Sequence, residues 1–314
     1  ADHGLGTRYV MTGNLPTPVV DYPMLGSVVS KEMPSPTELP SFVSIDRPVE
    51  GPGYLGAEYG PLSTGEKPRF GQPFRVRGIT LDGAMSVERY QSRRALLSDI
   101  DVAFDDFESL DASVRGLDRF SEQAYRMISS SKARAAFDLS REPEKEIDRF
   151  GRHEFGQSLM LATRLVEAGV RFVTVLLEGW DTHQDNFIQL GRDLLPQLDQ
   201  SLSAMLSRLD AQGRLSETAV MVNGEFGRTP VVELAVPGAN KGKMNGRDHN
   251  NHGFTMWMAG GGIKGGISVG ETDELGSQAE TDRFHVKRLH ATILNQLGLD
   301  PNNLTYFHGG LDKS

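Results

Sequence analysis

The sequence contains no cysteine. This absence excludes disulfide bonds, thiolate metal sites, iron–sulfur clusters and a cysteine nucleophile. The sequence also has no run of about 18 apolar residues, so we predict no membrane-spanning segment. Basic residues are fewer than acidic residues, 33 against 42, which gives a formal charge of −9. We expect no nucleic-acid partner, because proteins that bind nucleic acids present a basic face.

The chain has enough material for a full hydrophobic core. It has 314 residues, of which 38% are hydrophobic and 24% are charged, as is ordinary for globular proteins. It begins at Ala1 without an initiator methionine or a signal peptide, so we expect a processed or truncated chain. We expect one α/β domain over residues 1–314. Residues 31–85 are rich in proline and glycine, and we interpret them as a long loop or an excursion outside the core.

The spacing of apolar residues predicts alternating helices and strands. The predicted helices cover residues 154–168, 187–211 and 286–297, with further helical segments at 1–12, 93–97 and 133–139, and the predicted strands cover 171–177, 218–222 and 254–259. We expect Gly169 to end the first of the long helices, and Pro196 to kink the second or to mark a first turn. The alternation predicts an α/β fold with a mostly parallel central sheet and helices on both faces.

Polar side chains lie next to three of the predicted strands. In open α/β sheets, ligands bind beyond the carboxyl ends of the strands. Carboxylates and imidazoles from separate segments are the ligands that a divalent cation such as zinc, calcium or manganese requires. We therefore predict a divalent metal site. Its candidate ligands are Asp181, His183, Glu225, His249 and His252, with Asp248 in the same set.

Each of these segments also has a simpler interpretation. Asp181 is a good residue for a helix N-cap, and Glu225 could pair with Arg228 within one loop. The loop around His249 could be merely solvated. The glycine-rich stretch at 260–266 lacks the spacing of a phosphate-binding loop and predicts a turn. Only the joint occurrence of these segments near three strands favours a site.

Several longer motifs match a known family. They are LVEAGVRFV at 165–173, GWDTH at 179–183, GEFGRTP at 224–230, GRDH at 246–249 and LHATIL at 289–294. With these motifs the chain resembles the domain-of-unknown-function 1501 family of exported bacterial proteins, which is itself similar to the alkaline phosphatase and sulfatase superfamily. The resemblance implies an alkaline-phosphatase-like fold over the whole chain. It also implies a periplasmic or cell-envelope location and a metal held by Asp181 and His183.

The chain departs from the superfamily pattern at three places. Phe226 stands where the superfamily has a histidine, and Glu225 stands where it has an aspartate. The position of the sulfatase nucleophile, counted back from Thr12, falls on His3, which has no hydroxyl; the nearest hydroxyl is on Thr7. The sequence also starts after the N-terminal strand with which family members begin, and the resemblance implies that this strand would supply a first metal carboxylate.

Two functions remain open. The first is a metal-dependent hydrolase of phosphate or sulfate esters, in which the cation polarises the ester oxygen and activates a water. Glu225 and Arg228 would be catalytic residues, and Arg228 would hold the oxygens of the transition state. The substrate would be a small anionic ester or a sulfated or phosphorylated glycan. The second function is that of a non-catalytic sulfatase-like protein that binds a polyanion or polysaccharide, or serves as a cell-envelope component.

Overall fold

The computed structural model describes residues 2–76, 79, 123–233 and 245–313. The α-helices are α1 (His3–Thr12), α2 (Leu25–Glu32), α3 (Ser131–Phe137), α4 (Glu144–Phe150), α5 (Glu154–Glu167), α6 (Asn186–Gln189), α7 (Leu195–Ala211) and α8 (Val286–Gln296). The strands are β1 (Phe42–Ser44), β2 (Leu62–Ser63), β3 (Phe172–Thr174), β4 (Val220–Val222), β5 (Gly227–Arg228), β6 (His249–Asn250), β7 (Trp257–Ala259), β8 (Glu271–Thr272), β9 (Ala279–Thr281), β10 (Tyr306–His308) and β11 (Leu311–Lys313). The helix predicted at 93–97 lies outside the described residues.

A three-stranded parallel sheet has the order β2–β1–β3. Phe42 pairs with Phe172 and Val43 with Val173 across β1 and β3, and successive side chains of a strand point to opposite faces. The two phenylalanine rings face α2, where Gly26 lies against them. Val43 instead packs in a buried cluster with α5 residues such as Leu161. The predicted α/β class, with helices on both faces, is therefore confirmed for this sheet.

The other strand pairs are antiparallel. They are β4 with β7, β5 with β6, β8 with β9, and β10 with β11. The strand predicted at 254–259 is β7, which begins only at Trp257 and runs antiparallel to β4. Over the described ranges the architecture is thus a mixed α/β fold with a small parallel sheet.

The long helices agree with the apolar spacing of the sequence. Helix α5 ends in a left-handed glycine, since Gly169 has φ +101° and the N–H groups of Gly169 and Val170 donate to the carbonyls of Val166 and Leu165. The helix predicted at 187–211 consists of α6, a π-helical turn at Leu190–Leu194, and α7. Pro196 lies in the first turn of α7, one of the two positions predicted for it.

Residues 31–85 are not simply a loop outside the core. They contain β1, the central strand of the parallel sheet, and Phe42, Val43 and Ile45 are each at most 1% exposed. The interpretation of this segment as non-core is wrong for residues 42–45. The strand is only three residues long and is held by bonds between distant segments, such as Ile45 N–H to the Thr174 carbonyl at 3.0 Å. Such pairing leaves no local periodicity to detect.

Two further buried clusters join the helices. Helix α8 packs its apolar face against α1 and α2 in a buried cluster that includes Val10, Val29 and Leu289. Helices α4, α5 and α7 form a third buried cluster around Phe150. None of the described helices is long and apolar enough to cross a membrane.

Candidate metal centre

A tight turn after β3 carries the first two site residues. The Thr182 N–H donates to the Trp180 carbonyl at 2.9 Å, and the His183 N–H donates to the Asp181 carbonyl at 3.1 Å. The Thr182 side chain is buried, and its hydroxyl donates to Asn186 Oδ1 at 2.5 Å. Because Thr182 points inward and anchors the turn, Asp181 and His183 on either side of it reach the same surface.

The β5–β6 pair supplies the next two residues. Arg228 and His249 are direct partners across the two strands, and such partners lie on one face of the pair. Both reach Asp181. An Arg228 guanidinium nitrogen is 2.8 Å from Asp181 Oδ1, and His249 Nε2 is 2.9 Å from the same oxygen. The antiparallel ladder therefore determines which side chains meet the carboxylate.

The centre of the site is three atoms in mutual contact. His183 Nε2 is 2.9 Å from Asp181 Oδ1 and 3.1 Å from His249 Nε2, and His249 Nε2 is 2.9 Å from that same carboxylate oxygen. The Asp181 side chain is 48% exposed, while His249 is 10% exposed. These three potential ligand atoms thus form a compact triangle with one side open to solvent.

The charges around Asp181 keep it ionised. Burial by itself would raise the pKa of the Asp181 carboxyl, but hydrogen bonds from His249, Arg228 and His3 and the charge of His183 outweigh it. The pKa of Asp181 is therefore lowered far below its ordinary range. Arg228 also donates to the backbone carbonyls of Trp180 at 2.7 Å and Arg247 at 3.0 Å, so its guanidinium is fixed against the carboxylate.

His3, at the start of α1, lies on the other oxygen of Asp181. Its Nε2 is 3.1 Å from Asp181 Oδ2 and its Nδ1 is 2.6 Å from Glu225 Oε1. The hydrogen bond to Glu225 raises the pKa of His3, burial opposes this, and the contact with Asp181 raises the pKa further. The His3 ring also contacts the rings of Phe226 and His249, with centroids 5.0 and 4.5 Å apart.

A family model described as "Protein of unknown function (DUF1501)" matches residues 1–314. The chain belongs to the DUF1501 family. No curated protein matches the chain, and no solved structure matches it. The family assignment made from the sequence motifs is thereby confirmed. The resemblance of the DUF1501 family to the alkaline phosphatase and sulfatase superfamily stays a prediction.

In this DUF1501 protein, the structure brings together some of the predicted site residues and not others. Asp181, His183 and His249 meet at the centre. Asp248 forms a possible ligand group with His183 and His249. The carboxylate of Glu225 contacts His3, and His3 in turn contacts Asp181. His252 is exposed and belongs to neither of the two ligand groups found among the described residues.

Two site residues were not predicted as ligands or as their partners. Glu233 contacts His183 Nδ1 at 2.7 Å, and nothing in the sequence around Glu233 distinguishes it from an ordinary surface residue. For His3 the sequence contains one signal of a site residue, because the position of the superfamily nucleophile falls on it. The missing hydroxyl argued against a nucleophile there, but an imidazole at that position is a good metal ligand.

Gly246 allows the two halves of the site to approach. A Cβ at this position would lie 1.8 Å from the carbonyl oxygen of His183, and the Gly246 carbonyl accepts from the Glu233 N–H at 3.1 Å. We expect Gly246→Ala to weaken zinc binding about tenfold. The new Cβ would displace His183 and its partner Glu233, and the loss of such a partner typically lowers metal affinity at least tenfold. The measurement is a competition titration against a chromophoric chelator.

Gly265→Ala is the matched control for this prediction, since a Cβ at Gly265 meets nothing within 4 Å. The control should bind zinc as the wild type does. Equal affinity of all three proteins would show that the approach of Gly246 to His183 does not position the site.

Proposed function

We propose that this protein is a divalent-cation-dependent hydrolase of phosphate or sulfate esters. The observation that carries the proposal is the convergence of Asp181, His183 and His249, whose donor atoms lie 2.9–3.1 Å apart. These residues come from two separate segments, as a cation site requires. The proposed substrate is a small anionic ester or a sulfated or phosphorylated glycan.

The hydrogen bonding of His183 supports a cation at this point. Glu233 accepts from His183 Nδ1, so a neutral His183 carries its lone pair on Nε2. That lone pair faces Asp181 Oδ1 and His249 Nε2. With this tautomer, a proton on His249 Nε2 still leaves the His183 lone pair facing Asp181 Oδ1 without a hydrogen between them, whereas one cation satisfies all three contacts. Ligand atoms around tetrahedral zinc, at about 2.0–2.1 Å from the ion, are about 3.3 Å apart, which is close to the spacing seen here.

The donor chemistry favours zinc or manganese. The two imidazoles suit zinc and the carboxylate suits zinc or manganese, whereas calcium is bound by oxygen ligands alone. The carboxylate of Glu233 on His183 matches the arrangement that orients metal-bound histidines. A bound cation would act as a Lewis acid on the ester oxygen and lower the pKa of a nearby water.

The remaining residues define what the chain itself contributes. Arg228 fixes Asp181 through a charged hydrogen bond, with its other bonds going to two backbone carbonyls. In the hydrolase, Arg228 also adds positive charge beside the site, where an anionic ester would bind. The open side of Asp181 provides the approach for such a ligand.

The wider proposals follow from the family resemblance. We propose the alkaline-phosphatase-like fold with a mostly parallel central sheet, and an exported, periplasmic or cell-envelope location. The parallel order of β1, β2 and β3, covered on both faces, supports the fold. The whole chain matches the DUF1501 family. The proposed location rests on the resemblance of the motifs to exported members of that family.

A non-catalytic protein that binds a polyanion is the second candidate, and one contact favours it. The Phe226 ring, which replaces a superfamily histidine, lies against His249 with centroids 4.3 Å apart. Hydroxyls near the site are also engaged elsewhere, since Thr182 donates to Asn186 and Thr229 donates to the Val231 carbonyl. A protein with these features could hold an anion without turning it over.

Turnover of aryl phosphates and aryl sulfates by the zinc- or manganese-loaded protein separates the two candidates. We expect measurable hydrolysis that falls at least a hundredfold in His183→Ala, because this change removes one of three central donors. Asn251→Ala, which changes an exposed residue directly after β6, should keep the wild-type rate. If the metal-loaded wild type hydrolyses neither ester class, the hydrolase proposal is contradicted and the non-catalytic binding function remains.

A further inference from the structure

Helix α1 is fixed to the rest of the protein through its C-terminal half. Val10 is buried in the cluster with α2 and α8. The Tyr9 hydroxyl contacts His285 Nε2 at 2.6 Å, and His290 Nε2 donates to the Val10 carbonyl at 2.7 Å. The position of the last turn of α1 is therefore set by apolar burial and by two hydrogen bonds.

The first turn of α1 is held differently. Residues 2–5 are exposed, and the contacts described for His3 go to Glu225, Asp181, Phe226 and His249. Gly6 lies so close to the same loop that a Cβ there would be 3.1 Å from the Phe226 ring. The first turn of α1 thus rests directly on the candidate metal centre.

His3 and His183 are arranged around Asp181 in the same way. His183 contacts a glutamate through Nδ1 at 2.7 Å and Asp181 Oδ1 through Nε2 at 2.9 Å. His3 contacts Glu225 through Nδ1 at 2.6 Å and Asp181 Oδ2 through Nε2 at 3.1 Å. In each case a carboxylate on Nδ1 leaves Nε2 as the atom that faces the centre, which is the orientation of a metal-binding histidine.

We propose that His3 is a further ligand of the cation, and that cation binding holds the first turn of α1 onto the site. This inference rests on the proposed cation dependence. His3, Asp181 and His249 each offer a ligand atom, and these atoms all lie within 4.8 Å of one another. Glu225 then acts as the residue that orients His3 rather than as a ligand itself.

The proposal makes the order of the first turn depend on the metal. Apart from the site, the exposed residues at 2–5 have little apolar burial to stabilise them, and a helical turn with few buried contacts opens locally at low free-energy cost. A ligand that joins His3 to Asp181 and His249 raises that cost, because metal binding couples to local folding. The anchored part of α1 around Val10 should not respond.

Two measurements on the full chain test this inference, with zinc as the probe. The first is hydrogen exchange of peptides from the N-terminal segment and from residues 181–183, with and without zinc. We expect zinc to slow exchange in the first turn of α1 at least about fivefold in the wild type. In His3→Ala this slowing should disappear while the slowing at 181–183 persists.

The second measurement is zinc affinity by competition titration. We expect His3→Ala to weaken binding at least about tenfold, and Glu225→Gln to weaken it less, since it only removes the partner of Nδ1. Asn251→Ala should match the wild type. A melting temperature within a few degrees of wild type for each variant without metal shows that the fold is intact.

The outcomes separate this inference from the proposed function. If zinc protects 181–183 but exchange in α1 is unchanged, or if His3→Ala binds zinc as tightly as the wild type, the role of His3 is overturned and the cation site stands. If the wild type binds no zinc and no manganese, both the cation site and the role of His3 are overturned.

Discussion

Replacing Asp181 by asparagine is expected to weaken zinc binding at least a hundredfold. The Asp181 carboxylate is the group that His3, His183, His249 and Arg228 share, and each of them lies within 2.8–3.1 Å of one of its oxygens. Asparagine keeps the shape of the side chain but removes its negative charge. The cation would then face the Arg228 guanidinium without a compensating carboxylate. A competition titration measures the affinity.

The control for this prediction is Asp199→Asn. Asp199 is exposed on α7, so this variant loses one negative charge without touching the site. Its zinc affinity should equal that of the wild type. An Asp181→Asn protein that binds zinc within about threefold of the wild type would show that the metal, if bound, is held elsewhere.

The second large effect is expected on stability, from a buried ion-pair network between helices. The Glu142 carboxylate, 6% exposed, accepts hydrogen bonds from Arg164 on α5 and Arg208 on α7. Arg208 also donates to Glu167 at 2.7 Å. We expect Glu142→Ala to lower the free energy of unfolding by about 3 kcal/mol, because removing one partner leaves buried charge uncompensated.

Urea unfolding measures this loss, and Asp193→Ala is its control. Asp193 pairs with Arg192 on the surface, and exposed pairs of this kind contribute little to stability. The control should unfold at the wild-type midpoint. Equal midpoints for Glu142→Ala and the control would contradict the claim that this network holds α5 against α7.

The same network predicts part of the acid sensitivity. Burial alone would raise the pKa of Glu142, but hydrogen bonds and charges from Arg208 and Arg164 outweigh it and lower the pKa from its ordinary value of 4.5. A lowered pKa in the folded state stabilises the protein above pH 4.5, and this stabilisation is lost as the pH falls below that value. The decline of stability from pH 5 towards pH 3 should therefore be shallower in Glu142→Gln than in the wild type.

The sequence predicts the helices well because their signals are local. The apolar spacing of α5, α7 and α8 and the glycine after α5 follow from neighbouring residues. Strand β1 could not be found in this way, since prolines surround it and its hydrogen-bond partners lie in β2 and β3. The antiparallel pairing of β4 with β7 was equally invisible, because short strands do not encode the direction of their partner.

The candidate site shows the same limit. Asp181, His183 and His249 are predicted because carboxylates and imidazoles occur near strand ends, and the structure brings them into mutual contact. The contribution of His3 depends on a contact with a residue 222 positions away, which no local pattern contains. The contact also changes the proposed role of Glu225 from ligand to the partner that orients His3.

X-ray absorption spectroscopy of the zinc-loaded wild type tests the central claim most directly. We expect nitrogen and oxygen ligands at about 2.0–2.1 Å, with outer-shell scattering from at least two imidazoles and less imidazole scattering in His183→Ala. A spectrum with a shell of water oxygens and no imidazole scattering would contradict the account. It would mean that Asp181, His183 and His249 form only a network of hydrogen bonds.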